Sequence, residues 1–280
     1  MSESAEVPLG GERLFPEWVP AHLDTSVATP ARMYDAYIGG KDNFPADRAA
    51  VEEVLRAVPA VRKIALANRA FLGRAVRHVA EQGIGQFLDV GIGMPGPAGT
   101  AETALSVRPD ARIVGVDNDV SVLAHARAQG AEPAPRLVTV VEGDARDPSA
   151  ILAHPQVREA LDFGRPIAVL LIAVLHFVTD DEDPYGIVRT LMDAAAPGSY
   201  LAITHVTGDF DPERMDAAGK AYDKSTAKLA HRSRKEVEAF FDGLELLDPG
   251  VVLMPYWRPD GVVQDDADEI WMYGAVARKL

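Results

Sequence analysis

Cysteine is absent from the sequence, so disulfides, thiol nucleophiles and cysteine-ligated zinc are excluded at the outset. Long apolar runs are lacking too. The longest, Ile167 to Leu175, falls far short of the roughly 20 residues that span a bilayer. The N-terminus has neither the basic start nor the apolar stretch of a signal peptide, so a cytoplasmic protein is expected. Positive charge is scarce: 28 Lys and Arg stand against 42 Asp and Glu, a formal charge of −14. Such a surface repels phosphate backbones and anionic membranes, which disfavours a nucleic-acid substrate or a membrane partner. Arg62, Lys63, Arg69, Arg74 and Arg77 form a local basic group, which reads as a solvated helix face. None of the 7 histidines pairs with another at short helical spacing, so no metal site is expected.

The sequence is rich in strand–turn–helix punctuation. Its central stretch is Phe87 to Pro97. Phe87, Leu88 and Val90 are strand formers, and Gly91 and Gly93 allow a sharp turn close to a ligand. Asp89 places a carboxylate just before that turn. Unpaired N–H groups at the start of the following helix complete a nucleotide-type site. Two cofactor classes fit the loop. Gly91, Gly93 and Gly96 satisfy the dinucleotide spacing G-x-G-x-x-G. The acidic residue before the first glycine instead resembles the first motif of class I S-adenosylmethionine (SAM) methyltransferases. Pro95 and Pro97 also oppose a helix starting at Gly93, which a pyrophosphate site requires.

Helices are expected from Pro30 to about Gly39, from Pro45 to Ala57, and from Ala60 to Gln82. In the last, Ile64, Ala67, Phe71, Ala75 and Val79 recur at helical spacing. Strands and helices alternate after Gly85. Strands are expected at Gln86–Val90, Ile113–Asp117, Leu137–Glu142, Pro166–Leu175 and Tyr200–Val206. A helix follows Asp211-Pro212 as far as Leu229, and Ser233 with Glu236 forms a capping box. Leu244–Met254 and Ile270–Ala277 read as two closing strands with no helix between them. The expected fold is α/β: a Rossmann-like, doubly wound, seven-stranded sheet with a C-terminal antiparallel hairpin. Residues 1–23 would be a tail, 24–84 an N-terminal helical cap, and 85–280 the sheet domain.

Ligands of such sheets sit beyond the carboxyl ends of the strands, where the strand order reverses. Asp89, Gly91 and Gly93 end the first strand there. Asp117 ends the second and can accept two ribose hydroxyls, with Asn118 flanking an adenine. Asp144 follows the third and can accept an adenine amino group, while the Ala145 N–H donates to the ring. His176 follows the fourth strand and His205 lies at the end of the fifth. They are the first and second candidates for a general base. Asp117 fits an NAD ribose equally well; Asp89, Asp144 and the hairpin favour SAM.

Several motifs together resemble one SAM-dependent methyltransferase family, abundant in actinobacteria and formerly classed as a domain of unknown function. They are Tyr34-Asp35-Ala36-Tyr37, the turn Gly39-Gly40-Lys41-Asp42-Asn43-Phe44, Ala67 to Leu72, Phe87 to Gly93 and Val116 to Asp119. Arg232 to Glu236 and Asp248-Pro249-Gly250 are similar as well. The resemblance runs from about Asp24 to the C-terminus and implies the fold and SAM as cofactor. Met94-Pro95-Gly96-Pro97 is a proline-rich departure from the usual loop.

Methyl transfer to a small-molecule acceptor is the expected activity. The N-terminal helices would cover the cofactor, with Tyr34, Tyr37, Lys41, Asn43 and Phe44 lining the acceptor pocket or holding the SAM carboxylate. A homodimer is compatible with the sequence. Two alternatives stand beside this reading: an NAD(P)-dependent oxidoreductase, and a non-catalytic SAM-binding regulatory module.

Overall fold

The computed structural model describes residues 23–96, 98–129 and 137–280. Most of the expected N-terminal tail, and Pro97 of the glycine loop, lie outside the described residues. Three helices open the described chain: α1 (Pro30–Tyr37), α2 (Pro45–Ala57) and α3 (Val61–Glu81). Strands and helices then alternate: β1 (Gln86–Val90), α4 (Thr100–Val107), β2 (Arg112–Asp117), α5 (Val120–Gln129) and β3 (Val138–Glu142). Next come α6 (Pro148–Ala153), α7 (Pro155–Ala160), β4 (Ala168–Ile172), α8 (Pro184–Ala194) and β5 (Tyr200–Val206). The chain closes with α9 (Pro212–Tyr222), α10 (Arg234–Ala239), β6 (Glu245–Leu246), β7 (Val252–Leu253) and β8 (Met272–Arg278).

The sheet order is β3-β2-β1-β4-β5-β8-β6, with β7 also beside β8. The first five strands are parallel, and β8 runs antiparallel to β5, β6 and β7. The order reverses between β1 and β4. The crevice at that point is the expected ligand position of a doubly wound sheet.

Several boundaries differ from expectation. The strand expected at Leu244–Met254 is two short strands, so the sheet has eight strands rather than seven. Pro249 between them has no N–H for a ladder, and Gly250 takes a φ of +79°. β4 stops at Ile172 because Ala173 turns into a positive φ of 57°. A short 3₁₀ turn, Leu175–Phe177, then carries His176. α9 ends at Tyr222, before the expected Leu229. The chain after it instead pairs with the segment leading into α1, through Thr226 N–H donating to Ala28 O at 3.1 Å.

Apolar residues fill both faces of the sheet. One face packs under α1, α2, α3 and α9, with Phe71, Val76, Phe87, Ala202 and Met215 among its buried members. The other packs against α6, α7, α8 and α10, through Leu171, Ile203, Leu191 and Val237. α3 is thus a layer of the sheet domain as well as a wall of the cap. Among the described residues, no helix is long and apolar enough to cross a membrane.

Candidate active site

A cavity of about 670 Å³ lies over the carboxyl ends of β1, β2 and β4, beneath α1, α2, α3 and α9. Its floor gathers Asp89, Gly91 and Gly93 from the β1 tip, with Asp117 and Asn118 from the β2 tip. Asp144 and Ala145 after β3, and His176 after β4, also line it. Tyr34 and Tyr37 come from the cap. Lys41, Asn43, Phe44 and His205 are not among its lining residues.

The β1 turn is held by the neighbouring strand. Gly91 N–H donates to Val116 O at 2.7 Å, with a φ of +77°. A Cβ at Gly91 would stand 2.3 Å from Val174 Cγ2, so the close approach requires glycine there. Gly93 N–H donates to Asp117 Oδ2 at 2.8 Å, and Asp119 N–H to Asp117 Oδ1 at 2.9 Å. The carboxylate keeps acceptor capacity for a further donor. Asp117 has no ion pair among the described residues, and burial raises its pKa from 3.8 to about 6. Asp89 accepts from Thr100 Oγ1 at 2.5 Å, and burial raises its pKa to about 6 as well. Two buried carboxylates beside a cavity, neither paired with a cation, are a costly arrangement that ligand donors would relieve.

Asp144 stands differently. Its Oδ1 accepts from the Arg146 backbone N–H and Nε, each at 2.9 Å. Its Oδ2 accepts from Arg146 Nη2 at 2.5 Å and Asn118 Nδ2 at 3.3 Å. These four bonds fill a carboxylate's acceptor sites. The Arg146 side chain accordingly holds the Asp144 pKa below its ordinary value. Asp144 can take an adenine amino group only by exchanging one of these partners.

The turn Gly39 to Phe44 is organised from within the chain. Asp35 Oδ2 accepts from Asp42 N–H at 2.9 Å and Asn43 Nδ2 at 2.8 Å. A Cβ on Gly40 would lie 1.8 Å from Asp35 Oδ1. Phe44 N–H donates to Asp47 Oδ2 at 2.7 Å, and the Arg32 guanidinium sits 5.3 Å from the Phe44 ring centroid. Lys41 is exposed. The geometry therefore gives Asn43 and Phe44 a scaffold role in place of the expected cavity contacts.

The two candidate histidines have opposite surroundings. The His176 imidazole lines the cavity, and its buried Nδ1 has no hydrogen-bond partner. Burial, then the neighbouring His205 and Arg232, hold its pKa well below 6.5, so it is neutral. His205 is fully buried on the other face of the sheet, its ring stacked 5.9 Å from that of Phe240. Its Nδ1 lies 2.7 Å from Val206 O, and its Nε2 lies 2.8 Å from Arg232 Nη1. That fixes the tautomer: Nδ1–H donates and Nε2 accepts. Burial lowers its pKa to about 3. His205 thus braces Arg232, whose guanidinium also donates to Leu175 O and Val178 O, each at 3.0 Å. Those carbonyls flank His176.

Two cavity residues carry more than the sequence reading gave them. Asn68 Oδ1 accepts from Thr204 Oγ1 at 2.7 Å, and its Nδ2 donates to the Tyr34 hydroxyl at 2.9 Å. Its position four residues after Ile64 and three before Phe71, a polar residue inside an apolar stripe, was the available signal. Arg69, read as part of a solvated face, lines the cavity instead. Its Nη2 donates to Met94 O at 2.9 Å, and its Nε is buried without a partner.

Residues 16–280 match the model of a family described as S-adenosyl methyltransferase. Two solved structures share the fold over nearly the whole chain. A DUF574 family protein from Streptomyces avermitilis MA-4680 is 43% identical, with a TM-score of 0.87, over 92% of this chain and 99% of that one. A protein from Thermobifida fusca YX, provisionally named a methyltransferase, is 41% identical, with a TM-score of 0.87, over 94% of this chain and 99% of that one. No curated protein matches the sequence.

Proposed function

The chain belongs to the S-adenosyl methyltransferase family, and from that premise we propose that it methylates a small molecule enclosed beneath the helical cap. It is a SAM-dependent methyltransferase, which removes the oxidoreductase reading of the glycine loop. The observation carrying the small-molecule reading is the roofed cavity of about 670 Å³ between the strand tips and α1, α2 and α9. A pocket of that size suits a metabolite beside a nucleoside. The surface charge of −14 opposes a nucleic-acid acceptor, and the same reading has the protein act in the cytoplasm.

The buried carboxylates, neither in an ion pair among the described residues, fit the donor groups of an adenosyl cofactor. Asp117 would accept the ribose hydroxyls on its remaining lone pairs. The glycine turn and Asp89 would hold the methionine portion, and the Arg69 guanidinium, which spends one N–H on Met94 O, would meet its carboxylate. Ala145 N–H and Asn118 would flank the adenine. When bound, SAM supplies a methyl group already activated by the sulfonium charge. The chain's own work is positioning and water exclusion. His176, neutral at working pH, would take a proton from a hydroxyl acceptor.

Methyl transfer from labelled SAM to a panel of phenols, amines, carboxylates, protein and nucleic acid tests this reading. Label entering a small molecule is the expected result; label entering only protein or nucleic acid would overturn it.

A further inference from the structure

The charged residues lining the cavity are unevenly distributed. Asp89, Asp117, Asp119, Asp144 and Arg146 belong to the strand tips and the loops that follow them, and Asp24, ahead of α1, accepts from Ser26 N–H and Oγ. α2 and α9, which roof the opposite part, contribute only Val54, Met215, Ala218 and Tyr222. Of the lining cations, Arg32 is committed to Asp47 and to the carbonyls of Asp24 and Val27. Arg146 is committed to Asp144 and Glu182. Arg69 sits over the glycine loop at the cofactor end.

The roofed part is walled by rings. Phe177 and Tyr222 have centroids 5.3 Å apart, and the Tyr37 and Tyr222 hydroxyls lie 3.1 Å apart. Burial raises the Tyr222 pKa to about 12 and the Tyr37 pKa well above 10, so both phenols are neutral. A charged acceptor would be desolvated here without a counter-ion, which disfavours its binding. An aromatic acceptor would meet ring edges and faces at favourable geometry. Among the described residues of this wall, one polar atom remains buried without a partner: the Nδ1 of His176. A buried polar group without a partner signals a partner not yet present.

We propose that the acceptor is an uncharged, aromatic hydroxy compound of the phenol or naphthol class, seated among α2, α3 and α9 with its hydroxyl on the His176 imidazole. This assignment rests on the methyl-transfer reading above. The hydroxyl proton passes to His176. A bond forms between the acceptor oxygen and the methyl carbon as the carbon–sulfur bond breaks, its electron pair staying on sulfur. The products are an aryl methyl ether and a neutral thioether, and His176 returns its proton to solvent.

Calorimetry on the full chain saturated with S-adenosylhomocysteine tests the assignment with 1-naphthol, 1-naphthoate and protonated 1-naphthylmethylamine as probes. The wild-type protein is expected to bind 1-naphthol at least tenfold more tightly than either charged probe. Ala218→Trp, which fills the roofed end, is expected to weaken 1-naphthol at least tenfold and S-adenosylhomocysteine less than threefold. With SAM, the wild-type protein should form 1-methoxynaphthalene, and His176→Phe should lose that product while still binding S-adenosylhomocysteine. Failure to bind 1-naphthol, equal or tighter binding of a charged probe, or naphthol binding unchanged by Ala218→Trp would each overturn the assignment. The wild-type selectivity decides the matter if the Trp variant does not fold. Retained S-adenosylhomocysteine binding in any of these cases leaves the methyl-transfer reading standing; its loss in the wild type would strike that reading instead.

Discussion

Asp117→Asn is expected to weaken the cofactor site, and the ligand-free variant should gain stability relative to the wild type as pH rises. Burial raises the Asp117 pKa from 3.8 to about 6. Between those values the folded protein binds more protons than the unfolded chain, so stability falls as pH rises through the window. The rise corresponds to about 3 kcal/mol for the fully ionised group. Linkage places about 2 kcal/mol of it between pH 4 and pH 7.5. Asparagine does not titrate. Its single carbonyl oxygen serves only one of the Gly93 and Asp119 N–H groups that Asp117 satisfies, a loss that is the same at every pH. The informative quantity is therefore the difference in urea unfolding free energy between variant and wild type, measured without ligand across that range. It should move in favour of the variant by about 2 kcal/mol from pH 4 to pH 7.5. SAM binding by the variant should fall at least about tenfold at pH 7.5, since hydrogen bonds to a charged group contribute about 1.5–3 kcal/mol. A difference that stays flat with pH, or moves toward the wild type, would refute the claim that Asp117 is a desolvated anion held ready for donors.

Four further outcomes follow from the same geometry. kcat/KM for SAM should rise with pH through about 6, because Asp89 and Asp117 accept hydrogen bonds fully only when ionised; a pH–rate profile checks the limb. Asp35→Ala should cost about 2–3 kcal/mol in urea unfolding, since Asp42 N–H and Asn43 Nδ2 lose their acceptor, whereas Lys41→Ala should leave stability and SAM affinity unchanged. Gly91→Ala should cost at least about 2 kcal/mol, and adding Val174→Ala should recover only the steric part because the positive φ remains, as thermal melts of the single and double variants would show. Arg232→Met should cost at least about 3 kcal/mol, as Leu175 O, Val178 O and His205 Nε2 lose a buried donor together; chemical denaturation measures it.

The parallel core of the fold and the convergence of strand-end residues on one cavity were legible because their signals are local. Asp89, Gly91 and Asp117 occur at the end of an apolar strand and His176 on the 3₁₀ turn that follows one, and strand ends in a doubly wound sheet converge by topology alone. Other features depend on which of two partners captures a side chain. Asp144 is held by Arg146, two residues on, and a sequence does not state whether that arginine turns back or outward. The dense polar turn at Gly39 to Phe44 could serve a ligand or its own backbone, and Asp35 decided for the backbone. His205 was readable by parity and was missed. Thr204 accepts from Ala173 N–H and donates to Asn68 on the cap side, so the next residue along the strand must face away. Leu201 and Ile203 share that far face with it.

The cap and the cofactor floor are joined by polar ties that the apolar pattern could not reveal. Thr29 Oγ1 donates to Asp119 Oδ2 at 2.5 Å, and Asp119 N–H donates in turn to Asp117. His125 Nε2 on α5 lies 3.2 Å from Asp42 Oδ1 in the family's signature turn. Asn68 links Tyr34 of α1 to Thr204 of β5. Each tie runs from a cap residue to a strand tip, or to the element just after one. The signature turn is therefore not an accessory to the site. Through Asp42 it ties the end of α1 to α5, while Thr29 and Asn68 tie the cap to the tips of β2 and β5, over a cavity where Phe177 packs between the His176 and Tyr222 rings. Asp35, Gly40 and Asn43 hold that turn in shape from within the chain, which is how a short polar segment outside the cavity bears on its enclosure.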